Sequence, residues 1–379
     1  MSYLRLKLLE AHDDALQKCV YCPKLCRAAC PVSNAEPNEA LTPWGKMSTS
    51  YFLARGHVPA EQAHARTPYA CTGCMACRER CDHGNEVATV LLDARAGVAD
   101  LGLEPAEVRR SAARYARREA EHAAFAQRLA RGRASRTRVL LGCGYTRLAP
   151  REAELGLRVV EALLGEPAQP VELCCGMSLL DAGDRPGFLR AAAKLAAELA
   201  SAERLIVLDP GCARTLLVDY PRLGVAVREP TLLVDLAHRS LERFAQVSTD
   251  ATLRYHDPCK LGRGLGRYDE PRALLARITG TAPGEFQRRR EAGDCSGGGG
   301  LLPVSMPDAS RAIAEQRRAQ HEDAGGGRIV TACAASLARF RSIGAPVDDL
   351  ITWLARGLGL DDLGSDAAGS PAEAESSAP

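Results

Sequence analysis

The sequence predicts an α/β protein with a small α-helical N-terminal domain, and three observations carry that prediction. Two four-cysteine runs lie at 19–30 and 71–81 within helical patterning. From Arg138 onward, short apolar strands alternate with amphipathic helices, as in a parallel sheet covered by helices. That alternation occurs twice with matched spacing: 37 positions separate Cys175 from Cys212, and 37 separate Ser296 from Cys333. With 379 residues, the chain is long enough for two or three cores.

Composition narrows the function classes. Lysine and arginine total 49 against 47 acidic residues, a net charge of +2, so no global field favours nucleic acid or an anionic surface. The 15 cysteines dominate. Met1 to Gln17 places Leu4, Leu8, Leu9 and Leu16 at helical spacing without the apolar run of a secretory signal. No stretch reaches the roughly 18 apolar residues that span a bilayer. The expectation is a cytoplasmic chain, or one peripheral on the inner face of the cytoplasmic membrane, whose thiols bind metal or do redox chemistry.

In order, residues 1–100 hold the two runs, Cys19, Cys22, Cys26, Cys30 and Cys71, Cys74, Cys77, Cys81. The second has the C-x2-C-x2-C-x3-C spacing of bacterial ferredoxins, whose fourth cysteine ligates the other run's cluster. That rule assigns Cys19, Cys22, Cys26 and Cys81 to one [4Fe-4S] cluster and Cys71, Cys74, Cys77 and Cys30 to another. Hence an α-helical ferredoxin-type two-cluster domain is expected. The first run carries an extra residue between its second and third cysteines, and Asp82 stands where the pattern has proline. A pair of zinc sites is the alternative, but three thiols at such short steps crowd a single tetrahedral ion. Thr42-Pro43 opens a helix expected through Leu53 that packs over the clusters, Val87 to Arg95 is expected to close the domain, and His83 is expected to be exposed.

Residues 101–137 read as an Arg-rich helical linker, with ten arginines against three glutamates between Ala106 and Arg138. Arg109, Arg110, Arg114, Arg117 and Arg118 form a basic face that could meet an acidic partner or a membrane, although charge runs usually face solvent. No aromatic interleaving supports nucleic-acid binding.

Two units follow, 138–250 and 251–360. In the first, Val139-Leu-Leu-Gly-Cys143 is a strand ending in cysteine, Cys174-Cys175-Gly176 is an adjacent pair, and Cys212 follows the strand Leu205–Leu208. In the second, Cys259 ends a strand, Cys295-Ser296-Gly297 replaces the pair, and Cys333 follows Ile329-Val-Thr331. Adjacent cysteines cannot easily bridge each other, whereas both can face one cluster. Buried cysteines acting as small hydrophobes are the plainer account; the repeated placement at strand ends, where ligands gather, argues against it. Gly297 to Gly300 reads as a turn hugging a cluster, not a phosphate cradle. The tail 361–379 reads as disordered.

This layout resembles the Cys-Cys-Gly (cysteine-rich domain) iron–sulfur oxidoreductases, among them the iron–sulfur subunits of glycolate oxidase, anaerobic glycerol-3-phosphate dehydrogenase and heterodisulfide reductase. The resemblance runs from about Lys18 to Gly359 and rests most on Tyr255-His-Asp-Pro-Cys259-Lys-Leu-Gly-Arg-Gly264 and Ile329-Val-Thr-Ala-Cys333. In that family a full unit has five cysteines. It implies a possible third cluster, cubane or noncubane, on Cys143, Cys174, Cys175 and Cys212, with Thr215 in the fifth place. Cys259, Cys295 and Cys333 match in the second unit, where Ser296 and Ser336 replace thiols; whether three thiolates hold a cluster there stays open.

The resemblance implies an electron-transfer subunit more than a stand-alone enzyme. A flavoprotein or other redox subunit would oxidise substrate, and electrons would pass to a quinone or membrane redox protein; no flavin of its own is expected. The alternatives are thiol–disulfide reduction with Cys174 and Cys175 as catalytic candidates, and a structural metal-binding scaffold.

Overall fold

The computed structural model describes residues 5–130 and 135–360. Leu4, positions 131–134 of the Arg-rich stretch and the tail 361–379 lie outside the described residues. The α/β part contains two four-stranded parallel sheets. The first comprises β1 (Thr137–Leu140), β2 (Gln169–Pro170), β3 (Arg204–Val207) and β4 (Thr231–Leu232), in spatial order β2-β1-β3-β4. The second comprises β5 (Leu253–Tyr255), β6 (Gly284–Glu285), β7 (Arg328–Thr331) and β8 (Val347–Asp349), in the order β6-β5-β7-β8. The repeat in spacing is therefore a repeat in topology. Val139 pairs with Pro170 on one side and Ile206 on the other, and Arg254 stands likewise between Gly284 and Ile329.

Parallel neighbours need a crossover, and helices cover both strand faces. This explains why the central strands are nearly uniformly apolar, Val139-Leu140, Leu205-Ile206-Val207 and Ile329-Val330, and buried. The crossover helix Pro150–Leu164 starts on proline and stops at Gly165, whose φ of 70° suits a glycine C-cap. One apolar core runs through both units, joining Val139 and Ile206 to Tyr255, Ile329 and Trp353.

In the N-terminal domain the helices Asp13–Val20, Pro43–Arg55 and Val87–Asp100 enclose Leu16, Met47, Leu53, Val90 and Leu91. Pro43–Arg55 begins where Thr42 Oγ1 accepts from Gly45 N at 3.0 Å and ends at Gly56, φ 73°. The closing helix runs past the expected Arg95 to Asp100, because Ala96-Gly97-Val98 continue its apolar face; a Cβ on Gly97 would lie 3.1 Å from Leu6 Cβ.

Arg95, 2% exposed, ties this domain to both units. Its guanidinium donates to Pro68 O (3.0 Å), Asp181 O (2.9 Å), Gly300 O (3.0 Å) and Cys71 O (2.7 Å). The Arg-rich stretch forms the helices Ala106–Ala113 and Tyr115–Ala130. Arg109, Arg110, Arg114 and Arg117 face solvent, while Val108, His122, Phe125 and Ala126 are buried. The second helix thus packs on the first unit and does not merely link domains. Among the described residues, no helix is long and apolar enough to cross a membrane.

Candidate metal centres

Both N-terminal runs turn by the same device. The residue two before the third cysteine, Lys24 in one and Met75 in the other, adopts positive φ (69° and 63°), uncommon for non-glycine residues and found where a turn is over-determined by its surroundings. A 3-10 turn follows each third cysteine, Arg27–Ala29 and Arg78–Arg80. The extra residue of the first run is absorbed ahead of this shared turn.

The fold brings Cys81 to Cys19, Cys22 and Cys26, and all four line a cavity of about 100 Å³ with Trp44 and Asn85. Burial pushes the Cys19 thiol up to about 11; Asn85 opposes this, and the neighbouring Cys81 and Cys22 add to it. Cys26 rises to about 11 from burial and from Cys19, Cys22 and Cys81. Asn85 Nδ2 donates to Cys19 Sγ at 3.2 Å and to Ala15 O at 3.0 Å, and Asn85 N donates to Cys81 Sγ at 3.4 Å. Such a set resists becoming four thiolates on its own, and a cationic core removes that penalty by displacing the protons.

The second quartet, Cys30, Cys71, Cys74 and Cys77, lines a smaller cavity of about 20 Å³ beside Lys46. Burial drives the Cys77 thiol strongly up, helped by Cys71, Cys74, Cys30 and Cys26. Lys46 is 1% exposed and donates from Nζ to Cys30 Sγ at 3.3 Å. Burial works against its charge, but Cys30, Cys71 and Cys77 outweigh burial and raise its pKa. His83 is exposed at the mouth of the first cavity.

In the first α/β unit, Cys143, Cys174, Cys175 and Cys212 converge beyond the carboxyl ends of β1, β2 and β3. Cys174 Sγ lies 3.3 Å from Cys143 Sγ, and Cys175 Sγ 3.5 Å from Cys212 Sγ. Contacts from Cys143 and Cys175 and the Gly176 N–H make Cys174 the acidic member, against its burial. Cys143 and Cys175 are pushed up in return, first by contact with Cys174. Gly142 (φ 87°) lets the chain pass this site, since a Cβ there would stand 3.0 Å from Asp209 Cβ and 3.5 Å from Cys212 Sγ. Thr215 does not join the cysteines: its hydroxyl donates to Gly211 O at 2.9 Å, and it opens a π-helical turn, Thr215–Asp219. Single π turns are frequent near functional sites.

Several site residues escaped the sequence reading. Glu119 Oε1 accepts from Cys174 N (3.4 Å) and Tyr115 OH (2.8 Å), and Tyr220 OH donates to Cys175 O at 3.1 Å. His122, fully buried on the same helix face, meets Thr146 Oγ1 at 2.9 Å through Nδ1 and lies against the backbone of Val171 and Leu173. Burial lowers its pKa and Cys174 opposes that. Their one-face spacing, 115, 119 and 122, was the available signal, masked by the neighbouring arginines.

In the second unit Cys295, with Cys259 packed against it, lies in one buried side-chain cluster with Cys30 and Cys74 of the second quartet. The neighbouring Cys295 lowers the Cys259 thiol to about 7, against its burial and aided by Lys260. Ser296 and Ser336 hydroxyls pair with each other at 2.9 Å, closing what a full unit would present as two thiols. Burial and Asp209 drive the Cys333 thiol up, and Cys259 adds to this. Asp209 bridges the units, accepting from Gly211 N (2.7 Å) in the first and Ala334 N (3.2 Å) in the second. The glycine turn lies on the N-terminal domain: a Cβ on Gly299 would stand 2.6 Å from Thr72 O.

The donor chemistry of the two quartets, four soft thiols each at ferredoxin-type spacing, fits iron–sulfur groups. Comparison with known proteins agrees. A 4Fe-4S dicluster domain model matches residues 15–85, and a cysteine-rich domain model matches 138–217 and again 253–340. The chain is 31% identical over 246 residues to a dihydromethanophenazine:CoB--CoM heterodisulfide reductase subunit of Methanosarcina mazei, covering 58% of each chain. It is 26% identical over 328 residues to a fumarate reductase (CoM/CoB) subunit of Methanothermobacter marburgensis, covering 84% of this chain and 66% of that one. The chain thus spans little more than half the length of the heterodisulfide reductase protein. A crystal structure of a hypothetical protein from Helicobacter pylori shares the fold, with a TM-score of 0.56 at 11% identity over 94% of this chain and 76% of that one. The chain therefore carries a dicluster domain ahead of a cysteine-rich domain repeated twice, on two sheets of the same topology, consistent with the cysteine-rich-domain iron–sulfur proteins.

Proposed function

We propose that this chain is the iron–sulfur electron-transfer subunit of a reductase-type oxidoreductase complex, working between a flavoprotein or other redox subunit and a quinone or other acceptor. The carrying observation is the buried side-chain cluster in which Cys295, with Cys259 packed against it, lies with Cys30 and Cys74, joining the ferredoxin-type sites to the cysteine-rich units. Cys19, Cys22, Cys26 and Cys81 would hold one [4Fe-4S] cluster and Cys30, Cys71, Cys74 and Cys77 the other; Cys143, Cys174, Cys175 and Cys212 would hold a third. When bound, such groups take up and release electrons one at a time. The protein's part is to fix their spacing, exclude water and hold the sites in series through Arg95, Asp209 and the packing around Cys74 and Cys295. Leu25, 58% exposed beside the first cavity, marks where a redox partner would approach. The relatives named as reductase subunits support assignment to a complex.

The functional units under this proposal are 1–100, 138–250 and 251–360. Anaerobic iron and sulfide analysis tests the ligand sets: zinc without sulfide would leave a structural scaffold. Native pull-down tests the relay, and recovery of no redox partner would sink it.

A second reading, thiol–disulfide reduction at the first unit, is favoured by Glu119, Tyr115 and the buried His122 around Cys174. A substrate-dependent paramagnetic state in thiol-treated, oxidised protein that Cys175→Ser abolishes would support it. Silence there returns the first unit to simple relay.

A further inference from the structure

The two N-terminal quartets differ in the charge buried around them. The second is held by cations withdrawn from water. Lys46, 1% exposed, touches Cys30 Sγ at 3.3 Å. Arg263, 6% exposed, donates to Cys74 O at 2.7 Å, and its Nη2 has no hydrogen-bond partner. Arg95, 2% exposed, donates to Cys71 O at 2.7 Å; its nearest carboxylate oxygen, Asp181 Oδ1, is 3.8 Å away. Lys260 Nζ reaches Gly73 O at 3.2 Å.

Around the first quartet the close donor is Asn85, which is neutral. Of the charged residues lining that cavity, Arg80, Asp82 and His83 are exposed, and Lys24 is half-exposed and 3.7 Å from Glu39. Water and salt screen exposed charges, whereas a charge in the interior acts at much lower effective dielectric. An iron–sulfur site surrounded by thiolates is anionic and becomes more so on reduction, so a buried cation beside it favours the reduced form.

We propose that Lys46, with Arg263, Arg95 and Lys260, makes the second quartet the electron-attracting member of the pair and so directs electrons inward, from the first quartet toward Cys295 and Cys259. The inference rests on the two quartets being cluster sites. Lys46 acts as a positioning charge, not a ligand. It is also the most sensitive point, since it touches a thiol directly while Arg95, Lys260 and Arg263 reach backbone carbonyls of the 71–74 loop.

The test is an EPR-monitored redox titration of the anaerobically purified full chain with its clusters, wild type against Lys46→Met. The expected result is two midpoints, the more positive of which falls in the variant. At fixed potential, its reduced-to-oxidised ratio drops about tenfold, which is about 59 mV for one electron. The other midpoint stays in place. Cys22→Ala, which disables the first quartet, should leave the more positive midpoint. Arg263→Met, beside Cys74, should lower the same midpoint should Lys46→Met not fold. Two centres whose midpoints move in neither variant, or move together, overturn the inference alone. A wild-type chain without iron overturns the cluster reading beneath it.

Discussion

Asp349 should make the protein lose stability as pH rises through the neutral range. This carboxyl is fully buried where the two units meet, accepting from Tyr145 OH at 2.8 Å and from Ile351 N at 2.9 Å. Burial raises its pKa from 3.8 to about 8; the Ile351 and Tyr145 donors oppose the rise, and Glu152 and Asp209 add to it. Between pH 4 and 8 the unfolded chain has released this proton and the folded chain has kept it. The contribution is therefore full below about pH 4 and is lost as pH climbs through the folded pKa, at roughly 1 kcal/mol per pH unit and on the order of 5 kcal/mol across the window. Asp349→Asn keeps the shape and an acceptor for Ile351 N but cannot ionise. Anaerobic urea unfolding of both proteins at pH 5.5, 6.5 and 7.5 should show the variant gaining on wild type at each step. Because other titrating groups are common to both, the difference isolates this one. A wild-type-minus-variant difference that is flat in pH would refute the reasoning.

Other perturbations test the remaining joints. Arg95→Met strips donors from four backbone carbonyls and should cost about 3 kcal/mol or more, measured by the same unfolding assay; a loss under 1 kcal/mol would mean that the domains do not depend on this tie. Gly142→Ala forces a Cβ onto a φ of 87° and against Asp209, and should cost about 1–3 kcal/mol while lowering iron at the first unit; wild-type iron content would show that the site tolerates the crowding. Ser296→Cys with Ser336→Cys replaces the paired hydroxyls by thiols and should raise iron per chain, whereas unchanged iron would show that the second unit is closed by more than these two residues. Asn85→Ala removes a donor from Cys19 and should shift only the lower-potential signal of the N-terminal pair, a selectivity that potentiometry reads directly.

Much of this architecture was legible in the sequence because its signals are local. Strand-length apolar runs alternating with amphipathic helices imply parallel sheets wherever they occur, and the repeated 37-residue interval from Cys175 and from Ser296 implies that the second sheet copies the first. Cysteines at short steps can be recognised as donor sets from spacing alone, because the chain between them is too short to separate them. Whatever depends on long-range packing was not legible. Lys46 looks like an ordinary surface lysine in the sequence; only the docking of the Pro43–Arg55 helix over Cys30 buries its charge. Arginines at three-to-four-residue steps fixed a solvated face on Tyr115–Ala130 but hid the opposite face, where Glu119 and His122 reach the first unit. Serine at 296 and 336 announced a thinned site, yet the cluster that holds Cys295 and Cys74 arises from residues more than two hundred positions apart. Local chemistry thus determined what each segment can bind, and tertiary packing decided which segments face one another, because burial and charge pairing depend on neighbours that the chain order does not supply.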